Sequence, residues 1–209
     1  MYIRYTMRRK STRILGPGSR AALWVWGCPR RCEGCIAQDM NEGLFYSETP
    51  RTLCDWFLAS GAEGLTISGG EPFHSNAAAL AQMIDLIRER KPDTSVVIYS
   101  GYMHEELRSG SPGQQALLRR TDVLIDGPYI RERDDGRRFG VGSDNQRVIR
   151  LTGRISQQVL DAYYSEENDR QIVLQPAAAG VQLIGVPNPR QLNLWKTIFK
   201  KQGGDIHAA

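Results

Sequence analysis

Three of the four cysteines in this 209-residue chain stand in one short stretch, Gly27-Cys28-Pro29-Arg30-Arg31-Cys32-Glu33-Gly34-Cys35. Thiolates are metal ligands, and C-x3-C-x2-C supplies three of them, one short of a closed four-ligand site. On a four-iron cluster, three thiolates leave one iron open to something other than protein. Zinc is the alternative. It needs a fourth ligand, and Cys54, His74, His104 and His207 are the candidates, none in a second C-x2-C or H-x3-H pair. The spacing favours the iron–sulfur cluster and leaves zinc open. A disulfide fits less well, because a triplet leaves an odd thiol and no signal peptide is seen.

The loop needs an element to hold it. Ala21-Ala22-Leu23-Trp24-Val25-Trp26, ended by Gly27 and Pro29, reads as a buried strand. The cysteines therefore lie past a strand's C-terminal end, where α/β folds build their sites. Residues 64–68 read as a second strand running into Gly69-Gly70-Glu71-Pro72, where two glycines admit a close backbone approach and Glu71 presents a carboxylate. A side chain at Gly70 is expected to weaken ligand binding there without loss of metal. A third strand over 95–99 reaches Ser100-Gly101-Tyr102, and a fourth within 121–129 ends in Asp126.

Between the strands, Ser47-Glu48-Thr49-Pro50 opens a helix carrying Leu53, Trp56, Phe57 and Leu58. Cys54, alone on that helix, reads as a small apolar or surface thiol rather than a ligand. Residues 76–90 place Ala79, Leu80, Met83, Ile84 and Ile87 on one helical face, and 114–120 is helical. The rest predicts a short edge strand within 1–13, a short helix over 35–43, a mobile surface loop over 131–138 and a short strand at 148–151. Beyond these come a helix or turn over 155–164, a hairpin or last strand over 172–187, a closing helix over 192–199 and a disordered tail from Gly203. Alternating strands and helices imply parallel β/α units. With five or six strands an eight-fold barrel cannot close, so the expected architecture is an open, partial parallel β/α barrel with a lateral mouth. The length fits one domain over 1–209.

Net charge is +4, unevenly spread. Residues 1–32 hold Arg4, Arg8, Arg9, Lys10, Arg13, Arg20, Arg30 and Arg31 and no acid. Such a patch steers an acidic protein or a nucleic acid toward the cysteine face, or is simply a solvated arm. No nucleic-acid motif accompanies it, which makes nucleic acid the weaker reading. No apolar run approaches the roughly 20 residues that span a membrane. With no apolar signal core, the expectation is a cytoplasmic protein with no membrane partner.

C-x3-C-x2-C after a first strand resembles the cluster loop of the radical S-adenosylmethionine superfamily. A longer match, Gly16-Pro17-Gly18-Ser19-Arg20, Trp26-Gly27-Cys28-Pro29 and Cys32-Glu33-Gly34-Cys35, resembles the activating proteins of anaerobic ribonucleotide reductase. Most of the superfamily carries an aromatic residue before the third cysteine; those activases have glycine, as Gly34 here. Asp126-Gly127 and Gly142-Ser143-Asp144-Asn145-Gln146-Arg147 also resemble activase segments, and Leu15 departs from an acidic residue common before Gly-Pro-Gly. The match covers roughly residues 14–150.

The resemblance implies that Cys28, Cys32 and Cys35 hold three irons of a [4Fe-4S] cluster and that S-adenosylmethionine chelates the fourth. It places Gly69, Gly70 and Glu71 at the cofactor's amino group, with Gly34, Ile36, Ser100, Asp126 and Gly185 as further cofactor-binding residues. One electron from a flavodoxin- or ferredoxin-like donor would cleave the sulfonium to methionine and a 5′-deoxyadenosyl radical, which abstracts hydrogen. The cysteine-rich insert of many glycyl radical activases is missing, so the substrate implied is a glycine on a larger glycyl radical enzyme of the anaerobic ribonucleotide reductase type. Two readings stand beside it: a free-standing radical enzyme acting on a peptide, nucleoside or natural-product precursor, and a non-enzymatic zinc or iron–sulfur interaction module.

Overall fold

Side chains along the central strands alternate between two apolar layers, and this sets the architecture. The computed structural model describes residues 1–38, 43–165, 169–177, 180–200 and 207–208. In chain order the elements are β1 (Ile3–Thr12), β2 (Arg20–Val25), β3 (Tyr46–Glu48), α1 (Pro50–Leu58), β4 (Gly64–Gly69) and α2 (Ala77–Arg90). Then follow β5 (Ser95–Tyr99), α3 (His104–Arg108), α4 (Pro112–Leu118), β6 (Val123–Asp126), β7 (Arg147–Arg150) and α5 (Gln157–Tyr163). Last come β8 (Ile172–Ala177), β9 (Gly180–Gly185), α6 (Pro189–Lys200) and β10 (His207–Ala208).

A seven-stranded sheet has the order β3-β1-β2-β4-β5-β6-β7, and a smaller sheet the order β10-β9-β8. β2, β4, β5 and β6 are mutually parallel, while β1, β3 and β7 pair antiparallel. Ala21, Leu23, Val25, Ile67, Val96, Ile98 and Leu124 point into a core shared with Leu53 and Phe57 of α1 and with Leu80, Met83, Ile84 and Ile87 of α2. Their strand neighbours Ala22 and Trp24 pack with Ile14, Leu15, Phe139 and Ile184, and Val97, Val123 and Ile125 with Val141, Ile155 and Leu160. A strand buried on both faces reads as an unbroken apolar run, which is why β2, β4, β5 and β6 were visible in sequence.

The helices begin where capping chemistry puts them. Thr49 accepts from Thr52 N at 3.2 Å ahead of Pro50, and Ser111 accepts from Gln114 N at 3.3 Å ahead of Pro112. Leu53, Cys54 and Phe57 are the buried face of α1, so the fourth cysteine is a core side chain.

Several expectations change. β1 is ten residues long and lies inside β3, not at the edge. It runs antiparallel to β2 because the Gly16-Pro17-Gly18 turn is too short for the crossover that parallel pairing needs. Of the short helix expected over 35–43, residues 36–37 form a turn and Gln38 has 3₁₀-helical geometry, with Cys35 N bonding Cys32 O at 3.2 Å and Gln38 N bonding Cys35 O at 3.3 Å, while 39–42 lie outside the described residues. The 131–138 loop is tethered, since buried Arg170 reaches Asp134 at 2.9 Å and the Arg138 carbonyl at 3.0 Å. Of the tail expected to be disordered, 203–206 and 209 are outside the described residues, while His207–Ala208 pairs with β9. No helix among the described residues is long and apolar enough to cross a membrane.

Arg20 explains much of the Gly-Pro-Gly-Ser-Arg segment. It is fully buried at the N-terminal ends of β2, β4 and β5 and donates to Thr66 Oγ1 at 2.7 Å, Leu65 O at 2.6 Å, Ser95 O at 2.9 Å and Pro17 O at 3.1 Å. A Cβ on Gly16 would sit 2.8 Å from its Cδ. This anchor closes the sheet end opposite the cysteines. Leu15 is buried beside Trp24 and Phe139, so packing accommodates the residue that departs from the activase pattern.

Candidate functional site

Cys28, Cys32 and Cys35 open on one cleft past the C-terminal ends of β2, β4, β5 and β6, with about 1030 Å³ of empty space including its mouth. Gly34, Ile36, Gly69, Gly70, Glu71 and Ser100 line it as well. Asp126 and Gly185 do not; next to them in the chain, Gly127 and Val186 do.

Three left-handed residues shape the cysteine loop: Gly27 at φ 91°, Arg31 at φ 45° and Gly34 at φ 73°. A Cβ on Gly34 would meet Arg131 Cδ at 3.2 Å and Tyr129 Cε1 at 3.7 Å, so the space an aromatic neighbour of the third cysteine would need is taken. Burial pushes the Cys35 thiol up to about 11 and raises Cys28, opposed in part by backbone N–H groups of Arg30 and Arg31 at Cys28 and of Ala37 at Cys35. Thiols in that state become thiolates when a cation binds them.

The Gly-Gly-Glu turn is stitched to the root of this loop. Gly70 N donates to Val25 O and Glu71 N to Gly27 O, both at 2.8 Å. Gly69 lies at φ 96°, with Val25 N and O 2.7 Å from where its Cβ would be. Glu71 is wholly buried, and its carboxylate is already committed: Oε1 accepts from Phe73 N at 3.0 Å and Ser100 Oγ at 2.9 Å, and Oε2 from Gly101 N at 2.7 Å. Ser100 Oγ in turn accepts from Tyr102 N at 3.0 Å. Glu71 and Ser100 thus brace β4 against β5 as well as lining the cleft.

Burial dominates these bonds and pushes the Glu71 carboxyl up from 4.5 to about 7. A carboxyl raised on folding holds its proton where the unfolded chain has lost it, so folded stability falls as pH rises from 4.5 to about 7 and is level above. We expect metal-free protein to lose up to about 1.4 kcal/mol per pH unit across that window through this group. Urea unfolding of wild type and Glu71→Gln, pH by pH, checks it; the difference between the two should carry the slope. A pH-independent difference would show that Glu71 is ionised throughout.

Asp126 has a different task. It is fully buried, takes Arg147 Nε at 2.9 Å and Nη2 at 2.5 Å, and accepts from His104 N at 2.7 Å. Gln146 binds Gly127 O at 2.9 Å and receives Gly142 N at 3.0 Å, so the two segments resembling the activases lock onto each other. Sequence reasoning missed Arg30, Tyr99, Tyr129 and Asp134, all of which line the cleft. Arg30 stacks on Tyr102 at 4.3 Å and pairs with Glu106 at 3.0 Å, while its Nε is buried without an acceptor. Its place inside the cysteine motif was the available signal.

The described residues hold no His, Cys, Asp or Glu trio placed for a single metal ion. Ligands to three different irons need not converge as ligands to one ion must. Cys54, His74 and His104, the fourth-ligand candidates for zinc, do not line the cleft, and the His207 side chain is outside the described residues. The donor set fits a cluster with an open iron.

A family model described as a 4Fe-4S single cluster domain matches residues 14–149. The anaerobic ribonucleoside-triphosphate reductase-activating protein of Vibrio cholerae is 35% identical over 149 residues, covering 66% of this chain and 92% of its own length. That of Enterobacteria phage T4 is 32% identical over 140 residues (65% and 86%), and that of Escherichia coli K12 is 28% identical over 147 residues (66% and 92%). The matched region holds the cysteine loop, the Gly-Gly-Glu turn and the Asp126–Arg147 lock. This chain belongs to the family of anaerobic ribonucleoside-triphosphate reductase-activating proteins, built on a 4Fe-4S single cluster domain.

Proposed function

We propose that this protein is a radical S-adenosylmethionine enzyme that installs a glycyl radical on an anaerobic ribonucleoside-triphosphate reductase. The observation that carries this reading is one cleft shared by three loop thiols and a Gly-Gly-Glu turn, with no fourth thiol or imidazole among its described lining residues. The bound cluster and S-adenosylmethionine would supply one-electron cleavage of the sulfonium and a 5′-deoxyadenosyl radical. The chain's own part is to hold three irons through Cys28, Cys32 and Cys35 and to bring backbone close at Gly69 and Gly70. Glu71 and Ser100 set the carbonyls around them, and Arg30 Nε is free to meet a carboxylate. Ile36 and Val186 give apolar walls that exclude water. Asp126 acts through Arg147, and Gly185 turns the chain into Val186 and Pro187. The parallel strands form an open partial barrel whose lateral mouth admits the partner's glycine loop.

The test is electron paramagnetic resonance of reduced, reconstituted protein mixed with S-adenosylmethionine and a candidate reductase. A glycyl-radical doublet requiring both proteins is the expected result. If 5′-deoxyadenosine forms only with a peptide or small molecule, a free-standing radical enzyme replaces this reading. A colourless protein without iron or sulfide leaves only an interaction module.

A further inference from the structure

The family model ends at residue 149, and the curated relatives spend nearly all of their own length on about two-thirds of this chain. β8, β9 and α6 lie beyond that point, yet the unit they form reaches the cleft through Val186, Pro187 and Leu192. Leu183 and Trp195 are its buried centre, and Ile172, Val181 and Leu192 pack against them. So does Ile36, the residue after Cys35. Ile184, on the opposite face of β9, packs with Leu15, Trp24 and Phe139 and seats the unit on the large sheet. A buried ion pair fastens it a second time. Arg170 donates to Asp134 Oδ1 at 2.9 Å, the Arg138 carbonyl at 3.0 Å and the Pro187 carbonyl at 3.1 Å, and Gln191 of α6 donates to the Arg170 carbonyl at 2.8 Å. Asp134 Oδ2 accepts from the Tyr129 hydroxyl at 3.1 Å, and the Tyr129 ring lies beside Gly34. Both neighbours of Cys35 therefore rest on residues beyond 149, Ile36 directly and Gly34 through Tyr129, Asp134 and Arg170.

We propose that this C-terminal unit is a clasp on the third cysteine, which fixes Cys35 in place and closes one side of the cleft, so that a bound cluster is shed slowly; the inference rests on the cluster ligation in the function proposed above. Arg170 and Leu192 are its positioning residues, since both act on the cysteine loop through other groups. Two physical effects carry the role. A ligand pinned at both neighbours needs no further ordering when metal binds, and preorganisation of that kind strengthens binding. The apolar side chains of Ile36, Val186 and Leu192 also limit the access of water and small reagents to the thiols on that side. Cys32, on the far side of Gly34, is the thiol against which the effect can be measured.

The experiment alkylates metal-free full-length protein with iodoacetamide at one pH and reads each cysteine by peptide mass spectrometry. In Leu192→Ala and in Arg170→Lys, which loses the fork of donors, Cys35 should react about fivefold or more faster relative to Cys32 than in the wild type. After anaerobic reconstitution the same variants should release iron to bathophenanthroline about tenfold faster. Circular dichroism reports folding, and Leu192 is only partly buried, so Leu192→Ala keeps the test open if Arg170→Lys does not fold. Leu194→Ala, at an exposed position of α6, should leave both readouts at their wild-type values. A wild-type Cys35-to-Cys32 ratio in folded Leu192→Ala overturns the proposal, and so does iron release at the wild-type rate. An equal rise in Leu194→Ala overturns it too, because general loosening of α6 is then the cause. If the wild type takes up no iron, the proposed function falls and the retention of a cluster with it; iron uptake with an unchanged alkylation ratio overturns the clasp alone.

Discussion

Replacing any one of Cys28, Cys32 or Cys35 by alanine is expected to abolish the iron–sulfur cluster, while Cys54→Ala keeps it. The three loop thiols face one cleft that offers no further thiol or imidazole among its described lining residues, so a lost thiolate leaves an iron without its sulfur ligand. Cys54 is buried in the α1 core, and its removal deletes one small apolar contact, a cost of about 1 kcal/mol in stability. Iron and sulfide analysis after anaerobic reconstitution, with the visible spectrum, separates the two cases. Full iron in any loop variant, with activity retained, would remove that cysteine from the ligand set; loss of iron in Cys54→Ala would bring the fourth one in.

Gly70→Val is expected to lose the cluster as well as cofactor binding, a larger effect than the residue's place in a glycine turn suggests. Read from sequence, a side chain there blocks a ligand and spares the metal. The structure puts Gly27 O 2.3 Å, Gly27 C 2.7 Å and Gly27 N 2.9 Å from the position of a Cβ, distances that no packing tolerates. Relief requires moving the backbone at the root of the cysteine loop and breaking the bonds Gly70 N–Val25 O and Glu71 N–Gly27 O. Leaving such buried groups unpaired costs about 1–3 kcal/mol each. Gly70→Ala carries the same Cβ and should fail alike, whereas Gly113→Ala in α4 meets only Ala78 at 3.5 Å and should be neutral or slightly stabilising. The measurement is iron content alongside S-adenosylmethionine affinity in a variant shown to be folded by circular dichroism. Full iron with weakened cofactor binding would restore the simpler reading, and neither change would leave the turn without a part in the site.

What could be read from the residues alone was what neighbours in the chain decide. The cysteine motif is local because one loop presents all three thiols, and the strand before it is legible because burial on both faces demands consecutive apolar residues. The helix start at Thr49-Pro50 is equally local, whereas the Ser111 cap starts α4 at Pro112, two residues before the expected 114. Gly34, Gly69, Glu71 and Ser100 were recognisable by their motifs, as was the identity of the chain's relatives.

Tertiary structure decided the tasks of those residues, because each depends on partners distant in sequence. Glu71 and Ser100 look like ligand-facing groups until β5 comes beside β4 and supplies Gly101 N and the Ser100 hydroxyl as donors to the carboxylate. Asp126 looks like a site acid until β7 folds back antiparallel and brings Arg147 onto both its oxygens. Arg20 looks like one more charge in a basic arm until three strand ends close around it and use its donors. A titratable side chain's type is written in the chain, but its hydrogen-bond partners and its exposure are properties of the packed fold, and in a buried site those two settle whether it binds a ligand or holds the structure.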